Sequence, residues 1–330
     1  MHYEYIFYIK KEKMSNKQPQ VYFYVPYADV LQVREDEEKY TYANGIVSRR
    51  KFLKSPLNYI GGKYKLLPQL IEFFPEKINT FVDLFSGGFN VGINVDCNKV
   101  ICNDMNTFII DLYKELYSKP IDETLNKITG RINEYGLSKE NEEAFKKFRD
   151  YYNKTKEPID LYTLSCYSFN YQFRFNNNKE YNNPFGRNRS QFSDNMKSNL
   201  ILFTEKLKSM NVEFLSEPFD KVDLSKLNSE DFVYCDPPYL ITTGSYNDGN
   251  RGFKDWKEEE EIQLYKVLDE LNKRKVKFAL SNVIEHKGKE NILLKEWSKK
   301  YKTIYLTSDY SNSSYNTKRD KSIEVLIINY

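Results

Sequence analysis

Histidine and cysteine are scarce in this chain, at two and four among 330 residues. Cys97, Cys102, Cys166 and Cys235 show no CxxC spacing, which argues against a zinc site. They read as reduced core thiols of an intracellular protein. No apolar run approaches the roughly 18 residues that a membrane-spanning helix needs. The opening YIFYIKKEK is too polar for a signal peptide and lacks a cleavage region. Global charge is also nearly absent: the formal net charge is +3, so no overall basicity announces a polyanionic partner. Locally the picture differs. From Gly45 to Leu70 the chain carries Arg49, Arg50, Lys51, Lys54, Lys63 and Lys65 and no acid. The length suits one large domain or one domain with a sizeable insertion.

Periodicity sets the coarse organisation. Residues 1–50 are polar and tyrosine-rich, with QVYFYVPYADV as a candidate pairing strand. KYKLLPQLIEFFP has helical spacing interrupted by Pro68. TFVDLF is a buried strand, SGGFNVG a glycine-rich turn into a helix, and KVICND a second strand. TFIIDLYKELYS is an amphipathic helix, and residues 120–165 are charged, periodic and helical. CYSFNYQFRFNNNKEYNNPFGRNRSQFSDN breaks that rhythm, and its short runs around NNNKE predict a hairpin. NLILFTEKLKSM resumes a helix, and NVEFLSEPF and DFVYCDPPY are strands. DWKEEEEIQLYKVLDELNKRK is a long helix and VKFALSNV a strand. KTIYLTSDY and KSIEVLIINY predict a C-terminal antiparallel pair. Alternating strands and helices predict an open α/β sheet that binds ligands at the carboxyl ends of its strands.

Three stretches carry chemistry. In FVDLFSGGFNVG the glycines allow a tight turn and close approach of a ligand to backbone N–H groups. Gly87, Gly88 and Gly92 do not match the G-x-G-x-x-G dinucleotide fingerprint, which disfavours an NAD-dependent dehydrogenase. Asp104 ends the next strand, where an acid either accepts from ribose hydroxyls or caps the following helix. Together these suit a nucleoside ligand without a pyrophosphate. Lys63 in NYIGGKYKLL stands ready to meet a ligand carboxylate or lies at a solvated helix end.

The third stretch is VYCDPPYL. Prolines cannot continue a ladder, so the chain leaves the sheet at Asp236. A carboxylate, a carbonyl fixed by Pro237 and Pro238, and the flat face of Tyr239 suit an aromatic amine. Such an amine is a weak nucleophile because its lone pair is delocalised into the ring. Acceptors on both hydrogens favour the tetrahedral geometry that turns the pair toward an electrophile. The bland alternative is a strand-ending turn with a buried tyrosine.

The set, in order, resembles the alpha-group N6-adenine DNA methyltransferases, the Dam-like family. NYIGGK, DLFSGGFNVG, ND at 103–104, DPPY and FALSN stand in that family's sequence of motifs, and FRFNNNKEYNNPFGR resembles its recognition segment. The resemblance covers roughly residues 50–330. It implies a Rossmann-like S-adenosylmethionine-dependent methyltransferase fold, α/β with a mixed, mostly parallel sheet and an inserted helical and hairpin DNA-recognition region. The implied layout is an extension over 1–50 of unassigned role, a catalytic domain over 51–118 and 212–330, and an insertion over 119–211. S-adenosyl-L-methionine is the implied donor, with no metal. Catalysis falls to Asp236, Pro237, Pro238 and Tyr239. Donor binding falls to Tyr59, Gly61, Gly62, Lys63, Asp83, Phe85, Ser86, Gly87, Gly88, Asn103, Asp104, Glu217, Phe219 and Asp236, with Glu217 or Asp220 as the acid at the donor's adenine. DNA binding falls to Arg49, Arg50, Lys51, Arg174, Asn176, Pro184, Arg187 and Arg189.

The expected substrate is double-stranded DNA with a flipped-out adenine. A cognate restriction endonuclease is a further partner in view, the chain acting as a monomer or weak dimer. The expected setting is the cytoplasm, bacterial or phage-encoded and nucleoid-associated. GATC is one site read by family members with a similar hairpin, and neighbouring subfamilies read others. Methylation of RNA adenine or of a protein amide uses a related motif, and the basic hairpin favours duplex DNA over both. A catalytically silent DNA-binding regulator is the rival of another class, and Asp236, Tyr239 and the glycine turn argue against it.

Overall fold

A computed structural model describes residues 52–242, 256–307 and 322–330. All of them lie in one compact unit, Arg50–Tyr330. The segment QVYFYVPYADV lies outside the described residues.

The central sheet forms from short, mostly apolar runs. β1 (Thr80–Asp83), β2 (Lys99–Asn103), β3 (Val212–Leu215), β4 (Phe232–Cys235) and β5 (Lys277–His286) pair in parallel in the order β3-β2-β1-β4-β5. β6 (Lys289–Glu290) turns back on β5. β7 (Lys302–Leu306) and β8 (Ser322–Ile328) close the far side, β8 antiparallel to both β5 and β7. The expected C-terminal antiparallel pair is therefore present, in a mixed and mostly parallel sheet.

Successive side chains point to opposite faces, so each strand feeds two apolar layers. Phe81, Val100, Phe232, Tyr234 and Leu326 face one layer, beside Ile109, Leu112 and Leu116 of α2 (Thr107–Ser118). Val82, Ile101, Val233, Phe278 and Val325 face the other. That second layer is covered by α7 (Glu258–Lys273) through Leu264, Leu268 and Leu271, and by Leu294 and Trp297 of α8 (Ile292–Ser298). Between β2 and β3 run α3 (Ile121–Tyr135), α4 (Glu142–Thr155), α5 (Pro158–Cys166) and α6 (Asp194–Ser209). The four cysteines are free thiols.

Two local expectations are corrected. Pro68 does not interrupt a helix: it stands in the first turn of α1 (Leu67–Glu72), where its missing N–H has no intrahelical partner to lose. The glycine turn leads into a single 3-10 turn at Gly92–Asn94 rather than a helix, and the chain then enters β2. β1 is flanked by β2 on one side and β4 on the other. This is the point where strand order reverses, and the crevice beyond its carboxyl ends is where open sheets of this kind bind ligands.

Candidate active site

Asp83 and Asp236 leave adjacent strands at this crevice, since Asp83 is in register with Tyr234 on β4. Beyond β1 the chain is tied to both neighbours. Leu84 N–H donates to the Tyr234 carbonyl at 3.0 Å and Ser86 N–H to the Asn103 carbonyl at 2.8 Å. Gly87 takes a left-handed φ of 45°, a conformation that glycine adopts freely. Its N–H donates to Asp104 Oδ2 at 2.8 Å, and its carbonyl accepts from the Tyr113 hydroxyl at 2.7 Å. The glycines are also needed by a neighbour. A Cβ on Gly87 would fall 2.9 Å from Tyr59 Cδ1, and one on Gly88 would fall 3.1 Å from Tyr59 Cβ. Tyr59, from the NYIGGK segment, thus lies directly on the glycine turn.

Asp104 does not cap α2. Its Oδ1 accepts from Asn106 N–H at 2.8 Å, while Oδ2 holds Gly87 as above. Burial raises its carboxyl above the ordinary range, partly offset by those two N–H groups. Asp83 is more extreme. Its Oδ2 accepts from Gly92 N–H at 3.0 Å, and desolvation pushes it up to about 8, with the charges of Asp236 and Asp104 adding to the rise. Burial also raises Asp236, against the pull of Lys63 and the Tyr239 hydroxyl.

Lys63 stands where the sequence left two readings open. Its Nζ lies 2.9 Å from Asp236 Oδ2 and 5.0 Å from the Tyr239 ring centroid, and donates to the Gly61 carbonyl at 3.0 Å. The Tyr239 hydroxyl donates to Asp236 Oδ1 at 2.9 Å. Pro237 is buried and Pro238 is exposed.

On the other side of the crevice Asn103 acts as a clamp. Its Nδ2 donates to the carbonyls of Leu84 and Glu217, both at 3.0 Å, and its Oδ1 accepts from Glu217 N–H at 3.0 Å. The side chain of Glu217 is exposed, and Asp220 pairs with Lys221 at 3.7 Å. Beside them Phe85, Phe219 and Trp256 form a three-ring cluster with centroids 5.5 to 5.6 Å apart. Sequence reasoning missed Trp256, although it is one of only two tryptophans in the chain. Its indole N–H donates to the fully buried Glu261, which also accepts from Tyr265, Asn282 and Asn291.

The segment over 166–195 forms a turn more than a ladder. Single antiparallel bridges join Ser168 to Phe185 and Phe175 to Tyr181. Asn176 is spent on that turn: its Oδ1 accepts from the N–H groups of Asn178 and Glu180, and its Nδ2 donates to Glu180. The Pro184 carbonyl accepts from Phe169 N–H, and Arg189 lies over the Phe169 ring at 5.5 Å. Arg187 is 66% exposed and pairs with Glu142. Arg174 is half-buried and its carbonyl accepts from Asn182 N–H. Asn58 joins this region to the crevice, donating to the Asn170 carbonyl at 2.7 Å and bridging to Gln172. Arg49, Arg50 and Lys51 lie outside the described residues.

A parallel-rich sheet with acids at its switch point, a glycine turn and an Asp-Pro-Pro-Tyr strand end is the architecture of a nucleoside-dependent methyltransferase. The family model for D12 class N6 adenine-specific DNA methyltransferases matches residues 59–312, and the chain belongs to that family. Its members draw the methyl group from S-adenosylmethionine. The chain is 62% identical over 279 residues to type II methyltransferase M.FokI of Planomicrobium okeanokoites, and 55% identical over 287 residues to modification methylase StsI of Streptococcus sanguinis. Those alignments cover 84% and 86% of this chain but 43% and 44% of the relatives, so the chain spans less than half of their length. DNA adenine methylase of Escherichia coli (strain K12) is 28% identical over 285 residues, covering 84% of this chain and 95% of that protein.

Proposed function

We propose that this chain transfers a methyl group from S-adenosylmethionine to N6 of a flipped-out adenine in double-stranded DNA, at one recognition sequence. The observation that supports it best is the Asp236–Tyr239 strand end at the switch point, with its carboxylate held beside the tyrosine ring.

The residues fit a cationic nucleoside donor. Asp83, Asp104 and Asp236 gather at the carboxyl ends of β1, β2 and β4, and burial disfavours the ionised form of each. A bound cation relieves that cost, because an opposite charge nearby favours the carboxylate. Asp104 would take the ribose hydroxyls, and Phe85 and Phe219, with Trp256 beside them, the adenine. The donor supplies an already activated methyl group, so this chain's part is chiefly orientation and exclusion of water. Asp236 and the Pro237 carbonyl accept the two N–H bonds of the target amine, directing its lone pair at the methyl carbon. Tyr239 presents its ring to the base. After transfer the amine sheds one proton, and Asp236, raised by burial, is placed to receive it.

Arg174, Arg187 and Arg189 face the DNA in this reading, with Arg49, Arg50 and Lys51 on its phosphates. Because one relative is named as a modification methylase and another as a type II methyltransferase, a restriction endonuclease of the same specificity is the proposed companion, in a bacterial or phage-infected cytoplasm. Methylation-sensitive sequencing of DNA from a host expressing the chain tests the whole reading. One adenine-containing motif should be modified throughout, and not with Asp236→Ala. An unmodified genome with well-expressed, folded protein would overturn it.

A further inference from the structure

The glycine turn after β1 carries a side chain to which sequence patterns assign no role. Phe89 is fully buried and takes a left-handed φ of 56°, which is uncommon for a bulky residue and marks a constrained turn. Its N–H donates to the Ser86 carbonyl at 2.6 Å, and Gly92 makes room for its ring, since a Cβ there would fall 2.2 Å from Phe89 Cε2. The next residue, Asn90, is only 8% exposed. Its Oδ1 accepts from Ser55 N–H at 2.9 Å, and its backbone carbonyl accepts from Asn94 Nδ2 at 2.8 Å. Asn94 in turn holds both the N–H and the carbonyl of Leu53. The two asparagines thus strap the chain leading into NYIGGK to the turn.

Only an oxygen can meet Ser55 N–H, so the orientation of the Asn90 amide is fixed and its NH₂ group points the other way. That group stands between the two glycine segments: a Cβ on Gly62 and one on Gly88 would each fall 3.2 Å from Nδ2. Among the described residues Nδ2 donates to no protein group, and the atom is not sealed from solvent. A buried amide ordinarily spends its donors on the protein. This one keeps them for the space between Gly62 and Gly88, and a side chain on either glycine would press on it.

A donor nitrogen needs an acceptor on its ligand. The acceptors of S-adenosylmethionine are its ribose hydroxyls, its adenine nitrogens and the carboxylate of its amino-acid tail. Asp104 suits the ribose, and Phe85 and Phe219 suit the adenine, which leaves the carboxylate. Lys63 follows Gly62 directly and adds a cation on the same segment. We infer that Asn90 is a donor-binding residue: Oδ1 fixes the segment ahead of Gly61 and Gly62, and Nδ2 donates to the carboxylate of the methyl donor. This inference rests on the methyltransferase reading above.

Three forms of the whole chain decide it: wild type, Asn90→Ala and Asn90→Asp. Each is titrated by calorimetry with S-adenosylmethionine and with its decarboxylated analogue, which lacks only the carboxylate. Asn90→Ala should bind S-adenosylmethionine about tenfold more weakly or worse, the loss expected for a hydrogen bond to a charged group, and the analogue within about threefold of wild type. Asn90→Asp keeps an acceptor for Ser55 N–H and should weaken S-adenosylmethionine further, because like charges oppose each other. If Asn90→Ala does not fold, Asn90→Asp carries the same comparison. Equal losses for the two ligands would make Asn90 a brace alone and overturn the inference, as would unchanged affinity for S-adenosylmethionine. Methylation is assayed alongside. Wild type that binds the donor and methylates no adenine overturns the methyltransferase reading, while the two affinities still test Asn90. Folded wild type that binds no donor overturns both.

Discussion

Replacing Asn103 with alanine separates a brace from a ligand. In the structure this side chain makes three hydrogen bonds, to Leu84 O, Glu217 O and Glu217 N–H, each 3.0 Å long. They join the exit of β1 to the exit of β3 across the crevice. Leu84 is fully buried, so its carbonyl would lose this donor without ready access to water. An unsatisfied buried acceptor costs about 1–3 kcal/mol. Glu217 is exposed, so water can replace the other two bonds, and their loss should cost only about 0.5 kcal/mol each. The sum is about 2–4 kcal/mol. Urea unfolding of the donor-free protein, fitted with a common slope, reads it directly. Donor affinity should also fall, because the loop carrying Phe85 and the segment carrying Phe219 are no longer clamped. Saturating donor should then recover part of the lost stability through binding to the folded form. Stability within about 0.5 kcal/mol of wild type, with donor affinity greatly reduced, would refute the brace and make Asn103 a direct donor ligand.

Four further outcomes are open to measurement. Asp236→Ala should lower the methylation rate on the order of 10³-fold or more, with a much smaller loss of donor affinity, as expected for loss of a preorganised polar group that acts on the target amine; wild-type turnover would sink the mechanism. Asp83 titrates near 3.8 unfolded and about 8 folded, so between those values the folded chain holds a proton that the unfolded chain has lost. Stability of the donor-free protein should therefore fall as pH rises through that window, Asp83→Asn should flatten the fall, and calorimetry in buffers of different ionisation heat should show proton release on donor binding near pH 7. Gly88→Val should weaken donor binding by displacing Tyr59, which already stands 3.1 Å from the position of a Cβ; unchanged affinity in a folded variant would remove the glycine turn from the donor site. Arg187→Ala should lose about 1–3 kcal/mol of discrimination at one base pair, whereas Arg50→Ala should weaken cognate and random DNA alike with a smaller salt slope; competition with single-base variants distinguishes them.

The parts of the fold that sequence revealed are those governed by local rules. β1, β2 and β4 are continuous apolar runs ended by polar residues, which is how strands buried on both faces read. α2 and α7 carry their apolar residues at helical spacing, and both were visible for that reason. Pro68 was misread because a proline in a periodic segment signals either a break or a start, and only the exit of the preceding 3-10 turn at Tyr64–Leu66 decides between them. The glycine turn was recognised, but part of its cause was hidden. Tyr59 lies against Gly87 and Gly88, and a contact between NYIGGK and DLFSGG is tertiary.

The same limit explains the chemistry that sequence did not show. Asp236 was legible as an acid at a strand end, since two prolines mark that end. Its ionisation was not, because burial and Lys63, remote in the chain but 2.9 Å away in the fold, set it together. Trp256 was passed over because nothing near it in sequence announces Glu261 as its partner, and Glu261 itself reads as one more charge in an acidic run. In the fold that glutamate is fully buried and accepts from four neutral donors, which holds the tryptophan against Phe85 and Phe219. A buried acid satisfied in that way gives a specific experiment. Glu261→Gln replaces one acceptor oxygen with an NH₂ group that faces donors, so Trp256 should lose its anchor. Tryptophan fluorescence should shift and donor affinity should fall, while Asp236 titrates as in wild type. If donor affinity holds while the indole is released, the three-ring cluster is packing for the sheet and does not take part in the donor site.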